Sequence, residues 1–151
     1  MTKTIYPGQT IGIIGGGQLG RMMALSAREA GFKIAVLDPT MDSPCGQVAD
    51  IQIVAPYDDE AALEELAEIS DVITFEFENI DYEGLKRLTE IAYVPQGAEI
   101  IRITQNRVTE KEAIVNAGCP VAPYIVCESY EELVEEIDQI GFPSIVKTAR
   151  F

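Results

Sequence analysis

The sequence predicts an α/β fold, in which a parallel β-sheet carries helices on both faces and a second domain starts near residue 105. Apolar runs of strand length alternate with amphipathic runs of helix length as far as residue 94. A glycine-rich turn at residues 15–20 joins the first apolar run to the first helical run. Beyond residue 104 the alternation stops, which indicates a differently built unit.

Composition restricts the partners that we expect. The chain has 151 residues, 47% hydrophobic and 24% charged, as is usual for a globular protein with a core. Its formal net charge of −14 would repel the phosphates of nucleic acids and of anionic membranes, so we expect neither as a partner. Residues 1–9 lack the apolar core of a signal peptide and no run reaches membrane-spanning length, which predicts a cytoplasmic location.

Few reactive side chains are available. The chain has no histidine, which removes the commonest general base and the serine–histidine arrangement. Cys45, Cys119 and Cys127 are odd in number and form no Cys-x-x-Cys pair. We therefore expect reduced, structural cysteines rather than a disulfide framework or a zinc site.

The first strand is predicted over residues 10–14 and the first helix over 19–30, with Gly31 ending it. The glycine turn between them directs backbone N–H groups and the positive end of the helix dipole at one point, which suits phosphate, ribose or carboxylate oxygens. A second strand, 33–38, follows. It ends in Asp38, where an NAD-binding domain carries its ribose-binding acid. We favour for Asp38 the simpler role of capping the turn at Pro39.

The alternation then continues with a short strand, a helix capped near Asp58, a longer strand, a helix and a last short strand. These elements are predicted at residues 51–54, 58–69, 72–79, 82–88 and 92–94. Together with the first strands they give, by the right-handed crossover rule, a parallel sheet over residues 1–104.

Two carboxylates end the predicted strand at 72–79. Glu76 and Glu78 lie two residues apart, so the alternation of a strand would direct both to one side. The carboxyl edge of a parallel sheet is where open α/β folds bind ligands. We favour a ligand role for Glu76 over a helix-capping role, and for Glu78 both roles stay open.

Residues 105–151 begin with a helix over 107–117 behind the N-cap Asn106, which Gly118 ends. An extended segment at 122–127 and a helix behind the capping box Ser129–Glu132 follow. That helix is expected to bury Leu133, Ile137 and Ile140, and a strand is predicted over 144–149. Since a strand without a successor is a poor end for a domain, we expect these residues to open a second domain whose remainder is missing.

Six segments recur, in this order and spacing, in one known family. They are Gly-Gly-Gly-Gln-Leu-Gly-Arg-Met (15–22), Asp-Pro (38–39), Ser-Pro-Cys with Gln-Val-Ala (43–45 and 47–49), Thr-Phe-Glu-Phe-Glu-Asn (74–79), Asn-Arg-Val-Thr-Glu-Lys (106–111) and Ile-Val-Lys-Thr (145–148). The chain thus resembles the 5-(carboxyamino)imidazole ribonucleotide synthases (PurK, the ATPase subunit of phosphoribosylaminoimidazole carboxylase). These are ATP-grasp enzymes of purine biosynthesis, and the resemblance covers nearly the whole chain.

The resemblance implies a Rossmann-like pre-ATP-grasp domain that does not bind NAD, followed by the start of an ATP-grasp domain. The implied enzyme is a carbon–nitrogen ligase, also grouped with the lyases, and a homodimer. It uses ATP and Mg²⁺ to activate bicarbonate as carboxyphosphate, which carboxylates the amine of 5-aminoimidazole ribonucleotide. With its metal ligands and catalytic residues expected outside these 151 residues, the chain alone should be inactive.

Carried over by position, the resemblance implies ribonucleotide binding at Gly17, Gln18, Leu19 and Glu76. Glu76 could accept two hydrogen bonds from ribose hydroxyls, and charge-assisted bonds contribute roughly 1.5–3 kcal/mol each.

The resemblance also implies ATP contacts at Arg107 and Lys147. Lys147 would be a cation on a rigid strand, or alternatively a lysine that faces solvent. Arg107 opposes the dipole of its own helix, which a phosphate would offset; the alternative is an exposed arginine paired with an acid such as Glu110.

Three other functions stay open. The first is a formate-dependent glycinamide ribonucleotide transformylase, an enzyme of the same fold whose glycine turn usually carries Glu where this chain has Gln18. The second is a nicotinamide-dinucleotide-binding domain, which the Gly-x-Gly-x-x-Gly pattern alone would favour. The third is a binding module without catalysis.

Overall fold

A sheet of four parallel strands forms the centre of the first of two units, which divide between Ile101 and Arg102. The structure is a computed structural model that describes residues 3–150. The strands are β1 (Thr10–Ile14), β2 (Lys33–Leu37), β3 (Ile51–Ile53) and β4 (Val72–Phe75), in the spatial order β3-β2-β1-β4. The predicted parallel sheet is confirmed. The predicted domain limits, 1–104 and 105–151, stay a prediction.

The helices begin close to the predicted positions. They are α1 (Gln18–Glu29), α2 (Glu60–Ile69), α3 (Tyr82–Ile91) and α4 (Glu99–Thr104). The N-cap of α2 is Asp59, one residue after the predicted Asp58, because the Asp59 carboxylate accepts from the N–H of Ala62 at 2.9 Å. The sequence reading missed α4, whose six residues carry too short a pattern.

The two faces of the sheet have separate cores, as the alternation of strand residues requires. On one face Ile13, Ile34 and Val36 pack with Ala24 of α1 and with Cys45. The other face packs against α2 and α3 and contributes the larger core, which includes Ile14, Ala35, Leu37, Leu66, Ile73, Phe75, Leu85 and Leu88. Helices therefore cover both faces, as predicted.

Two predicted strand segments are wrong, and both concern the edge of β4. β4 ends at Phe75 rather than at residue 79, and residues 92–94 form no strand. Instead the amide of Gln96 lies along the edge of β4, where it donates to Phe75 O (3.0 Å) and accepts from Phe75 N (3.3 Å) and Thr74 Oγ1 (2.7 Å). Tyr93 O also accepts from Ile73 N at 2.9 Å, so a side chain and a single carbonyl bond the edge of β4 in place of a further strand.

The second unit contains α5 (Arg107–Asn116) and α6 (Tyr130–Glu136). The predicted caps are confirmed: Asn106 accepts from Val108 N at 2.8 Å, and Ser129 accepts from Glu132 N at 3.1 Å. The prediction that Leu133, Ile137 and Ile140 are buried is wrong, because no residue within 102–150 is buried and these three are half-buried.

The predicted strand at 144–149 is also wrong. Neither that segment nor residues 122–127 forms a β-strand, since no strand among the described residues pairs with them. Ile145 is 83% exposed and Val146 is 69% exposed. The strand-like composition of residues 144–149 is thus not matched by a partner strand.

Candidate functional site

The site lies at the carboxyl ends of β1 and β4, where the order in which the chain adds strands to the sheet reverses. β1 pairs with β2 on one side and with β4 on the other, so successive strands are added first on one side of β1 and then on its other side. Open α/β sheets bind ligands at such switch points. Here Gly15 follows β1 and Glu76 follows β4.

The glycine turn is held rigidly. Gly15 has φ +107°, in the region that favours glycine, and its N–H donates to Leu37 O at 3.0 Å. The N–H of Gly16 donates to Asp38 Oδ2 at 2.6 Å. A Cβ on Gly16 would lie 2.7 Å from Asp38 Cβ and closer still to Ser43 Oγ, so only glycine fits.

The start of α1 is open toward the switch point. Gly17 is its N-cap and supplies no side-chain acceptor, and its first turn contains no acid. By contrast, Asp59 and Asp81 cap α2 and α3. The first N–H groups of α1 and the positive dipole end therefore remain available for a ligand oxygen. Gln18 and Leu19 are exposed in this first turn, Leu19 to 55%.

Glu76 faces the glycine turn. Its Oε1 lies 3.9 Å from the position that a Cβ on Gly17 would take, and 3.7 Å from the corresponding position on Gly15. The carboxylate is half-buried and makes no hydrogen bond or ion pair within residues 3–150. The capping alternative for Glu76 is wrong, because Asp81 caps α3. The structure thus brings Gly17 and Glu76 together.

Asp38 is engaged by the protein itself. Its carboxylate, 6% exposed, accepts from Gly16 N (2.6 Å), from Tyr57 Oη (2.7 Å) and from Thr40 N (2.8 Å). Burial alone would raise the pKa of Asp38, but the hydrogen bonds from Tyr57, Thr40 and Gly16 outweigh it and lower the pKa. The bond to Thr40 confirms the predicted role at the Pro39 turn. The position of a ribose-binding acid is therefore already occupied by internal bonds.

Tyr57 and Phe77 complete the site, and the sequence reading missed both. Their rings meet edge to face with centroids 5.0 Å apart. Phe77 covers Gly15, where an added Cβ would lie 2.7 Å from its ring. Burial, the bond to Asp38 and the charges of Asp38 and Glu76 raise the pKa of Tyr57, so its hydroxyl stays a donor. No local signal in the sequence links Tyr57 to Asp38, which lies nineteen residues earlier.

The loop that follows Asp38 is hydrogen-bonded to the glycine turn and to α1. Cys45 donates its N–H to Gly16 O at 2.8 Å, and Arg21 of α1 donates to Pro44 O at 2.8 Å and to Gln47 Oε1 at 3.0 Å. Burial, more than the charge of Asp38, raises the pKa of the Cys45 thiol to about 11. All three cysteines are unpaired, with Cys45 buried, Cys127 half-buried and Cys119 exposed.

In the second unit, Arg107 and Lys147 come from segments joined by a backbone bond. The N–H of Arg107 donates to Ala149 O at 2.8 Å. The Arg107 guanidinium lies 3.5 Å from Glu110, so the ion pair considered as the alternative is present. Lys147 is exposed, and the described part of the chain offers its ammonium no hydrogen bond or ion pair. The ATP role of both residues stays a prediction.

Within residues 3–150 no group of three or more His, Cys, Asp or Glu side chains is arranged to hold a metal ion. None of the helices described has the length and apolar character needed to span a membrane.

Comparison with known proteins shows which proteins this chain is similar to. The model of the ribonucleotide synthetase preATP-grasp domain matches residues 8–105. N5-carboxyaminoimidazole ribonucleotide synthase of Bacillus subtilis is 58% identical over 98% of this chain and 39% of its own length. A crystal structure of the ADP complex of a PurK N5-carboxyaminoimidazole ribonucleotide synthetase is 62% identical, with a TM-score of 0.87 over 95% of this chain and 38% of its own.

A more distant structure carries the ligands of interest. The N5-carboxyaminoimidazole synthase of Aspergillus clavatus, in complex with ADP and 5-aminoimidazole ribonucleotide, is 30% identical, with a TM-score of 0.79 over 92% of this chain and 38% of its own. The chain therefore spans about two fifths of the length of these relatives.

Proposed function

The chain belongs to the ribonucleotide synthetase preATP-grasp domain family, and we propose that it forms the N-terminal part of an N5-carboxyaminoimidazole ribonucleotide synthase. In the proposed reaction ATP phosphorylates bicarbonate, and the resulting carboxyphosphate carboxylates the amine of 5-aminoimidazole ribonucleotide. ADP and phosphate are released. The observation that carries the proposal is the identity of 58% over 98% of the chain to a synthase of that activity.

The switch point is the proposed ribonucleotide site. Glu76 offers a carboxylate that no group in the described residues engages, next to the uncapped start of α1. Ribose hydroxyls can donate to Glu76, while the N–H groups of Gly17, Gln18 and Leu19 can donate to ligand oxygens. Donor and acceptor groups thus lie side by side, as a sugar ring requires. The role that we propose for this arrangement is to bind and orient the ribonucleotide, with no catalytic residue assigned within this chain.

ATP is proposed to bind through Arg107 and Lys147. An ATP phosphate would have to compete with Glu110 for the Arg107 guanidinium, whereas the Lys147 ammonium makes no hydrogen bond or ion pair within the described residues. We also propose that the enzyme uses Mg²⁺, forms a homodimer and is cytoplasmic. The described residues offer no metal-binding cluster, so no step is assigned to a metal in this part of the chain.

The proposal is tested on the full-length protein that carries this chain. ADP release should depend on both 5-aminoimidazole ribonucleotide and bicarbonate, and Glu76→Gln should raise the KM for the ribonucleotide about tenfold with the KM for ATP unchanged. The 151 residues alone should release no ADP. Turnover that requires formate and glycinamide ribonucleotide would contradict the proposal. Saturable micromolar binding of NADH, followed by its fluorescence, would contradict it as well.

A further inference from the structure

The two walls of the proposed ribonucleotide site belong to separate elements. One wall is the glycine turn after β1, and the other is Glu76 after β4. Tyr57, which lies in the connection between β3 and α2, contacts the supports of both walls. Its hydroxyl donates to Asp38 Oδ2 (2.7 Å), the same oxygen that accepts from Gly16 N. Its ring packs against Phe77, the residue that follows Glu76.

We propose that Tyr57 is a positioning residue, which sets the separation between the glycine turn and the Glu76 carboxylate. The inference rests on the proposed ribonucleotide site and adds a residue that does not itself touch the ligand. The contacts that connect the two walls run from Gly16 through Asp38, Tyr57 and Phe77 to Glu76, and we call this series of contacts the path.

Both ends of this path are tight. Phe77 lies so close over Gly15 that an added Cβ would be 2.7 Å from its ring, so Phe77 cannot move inward. Asp38 is 6% exposed and bonded on both carboxylate oxygens, so its position follows that of its donors. A displacement of Tyr57 therefore changes the gap between the walls, because packed interiors have little free volume to absorb it.

Tyrosine is needed because the residue performs two contacts at once. A phenylalanine ring would keep the edge-to-face contact with Phe77 at its 5.0 Å centroid distance but lose the hydroxyl. The Asp38 carboxylate would then keep only its backbone donors, with Gly16 on Oδ2 and Thr40 on Oδ1, and Oδ2 would lose the donor that ties it to Tyr57. Because a hydrogen bond to a charged group is among the stronger ones, its loss loosens the glycine turn.

The test uses Tyr57→Phe in the full-length protein, with Tyr82→Phe as a matched control. Tyr82 also donates to a carboxylate, Glu99, at 2.6 Å, but in the contact between α3 and α4. Tyr57→Phe should raise the KM for 5-aminoimidazole ribonucleotide about tenfold, with the KM for ATP and kcat at saturating ribonucleotide within about twofold. Tyr82→Phe should leave both KM values unchanged.

A second variant tests the contact between Tyr57 and Phe77, near the Glu76 end of the path. Phe77→Leu keeps the Tyr57–Asp38 bond but removes the aromatic contact, and it should give the same selective rise in the KM for the ribonucleotide. If Tyr57→Phe lowers the melting temperature but leaves both KM values unchanged, Tyr57 is only structural and the inference is wrong. Equal increases in the KM for ATP and for the ribonucleotide would overturn it too.

A ligand-free measurement separates this inference from the proposed function. If the wild-type protein shows no ribonucleotide-dependent ADP release, the proposed function fails. The backbone amide resonances of the 151-residue chain then test the coupling alone. In Tyr57→Phe the amide signals of Gly16 and of Glu76 should both shift, whereas a shift confined to Gly16 contradicts the inference.

Discussion

An added methyl group should lower the stability of the protein at Gly16 but leave it nearly unchanged at the adjacent Gly17. Gly16→Ala places a Cβ 2.7 Å from Asp38 Cβ and 2.8 Å from Asp38 Cγ, with Ser43 Oγ closer still. Gly17→Ala places it where the nearest atom is Glu76 Oε1, at 3.9 Å. Neither backbone has the positive φ that would strain an alanine, so the packing alone distinguishes the two variants.

The magnitudes follow from these contacts. Overpacking costs about 1–3 kcal/mol, and moving Asp38 aside also breaks its charge-assisted bond from Gly16 N, worth roughly 1.5–3 kcal/mol. Since the two losses overlap, we expect Gly16→Ala to lower the free energy of unfolding by about 3 kcal/mol. At Gly17 the poorer N-cap propensity of alanine and the reduced entropy of the unfolded chain nearly cancel, within about 0.5 kcal/mol.

Urea denaturation followed by circular dichroism measures both variants. With a slope of about 2 kcal/mol per molar urea, Gly16→Ala should lower the midpoint by about 1.5 M and Gly17→Ala by less than about 0.3 M. Gly17→Ala should nevertheless weaken ribonucleotide binding about tenfold, because its methyl group enters the space beside Glu76. Equal midpoints for Gly16→Ala and wild type, or an equal loss in both variants, would refute the packing argument.

Three further outcomes are expected. Gln96→Ala removes three hydrogen bonds at the edge of β4, and because water replaces part of them we expect the free energy of unfolding, measured in urea, to fall by about 1–2 kcal/mol. An unchanged midpoint would contradict this. The pKa of Asp38 is lowered from 3.8 in the folded state, so its stabilisation is present above pH 3.8 and is lost as the pH falls through the lower folded value. Urea midpoints measured from pH 6 to about pH 2 should therefore fall less steeply in Asp38→Asn than in wild type, and identical slopes would contradict this. A thiol reagent at neutral pH should label the exposed Cys119 in the native protein but Cys45 only after unfolding, since Cys45 is buried with a pKa of about 11; mass spectrometry after proteolysis reads the labelled sites.

Local patterns predicted the first unit well because its signals are local. The alternation of apolar and polar residues placed β1, β2, α1 and α2 close to their observed positions. The caps at Asn106 and Ser129 were also predictable, since a cap joins residues only two or three positions apart. Glycines at 15–17 and a carboxylate at 76 could be predicted as site residues because they lie at the carboxyl ends of strands.

The errors share a different cause. The strand predicted at 92–94 depends on what bonds the edge of β4, and there the Gln96 side chain and the Tyr93 carbonyl do so without forming a strand. The strand predicted at 144–149 has suitable residues but no partner among those described. A strand is defined by pairing, and composition alone contains no information about the partner.

The α/β class, the parallel sheet, the glycine turn as the organising feature and the family that the motifs resemble could therefore all be predicted from the sequence alone. Tertiary structure alone decided what Asp38 does. Its position along the chain is equally compatible with a ribose ligand and with internal bonds, and the choice depends on Tyr57, nineteen residues later, reaching the same oxygen as Gly16. Such contacts between distant residues arise only when the strands are side by side, because hydrogen bonds and packing depend on distance in space.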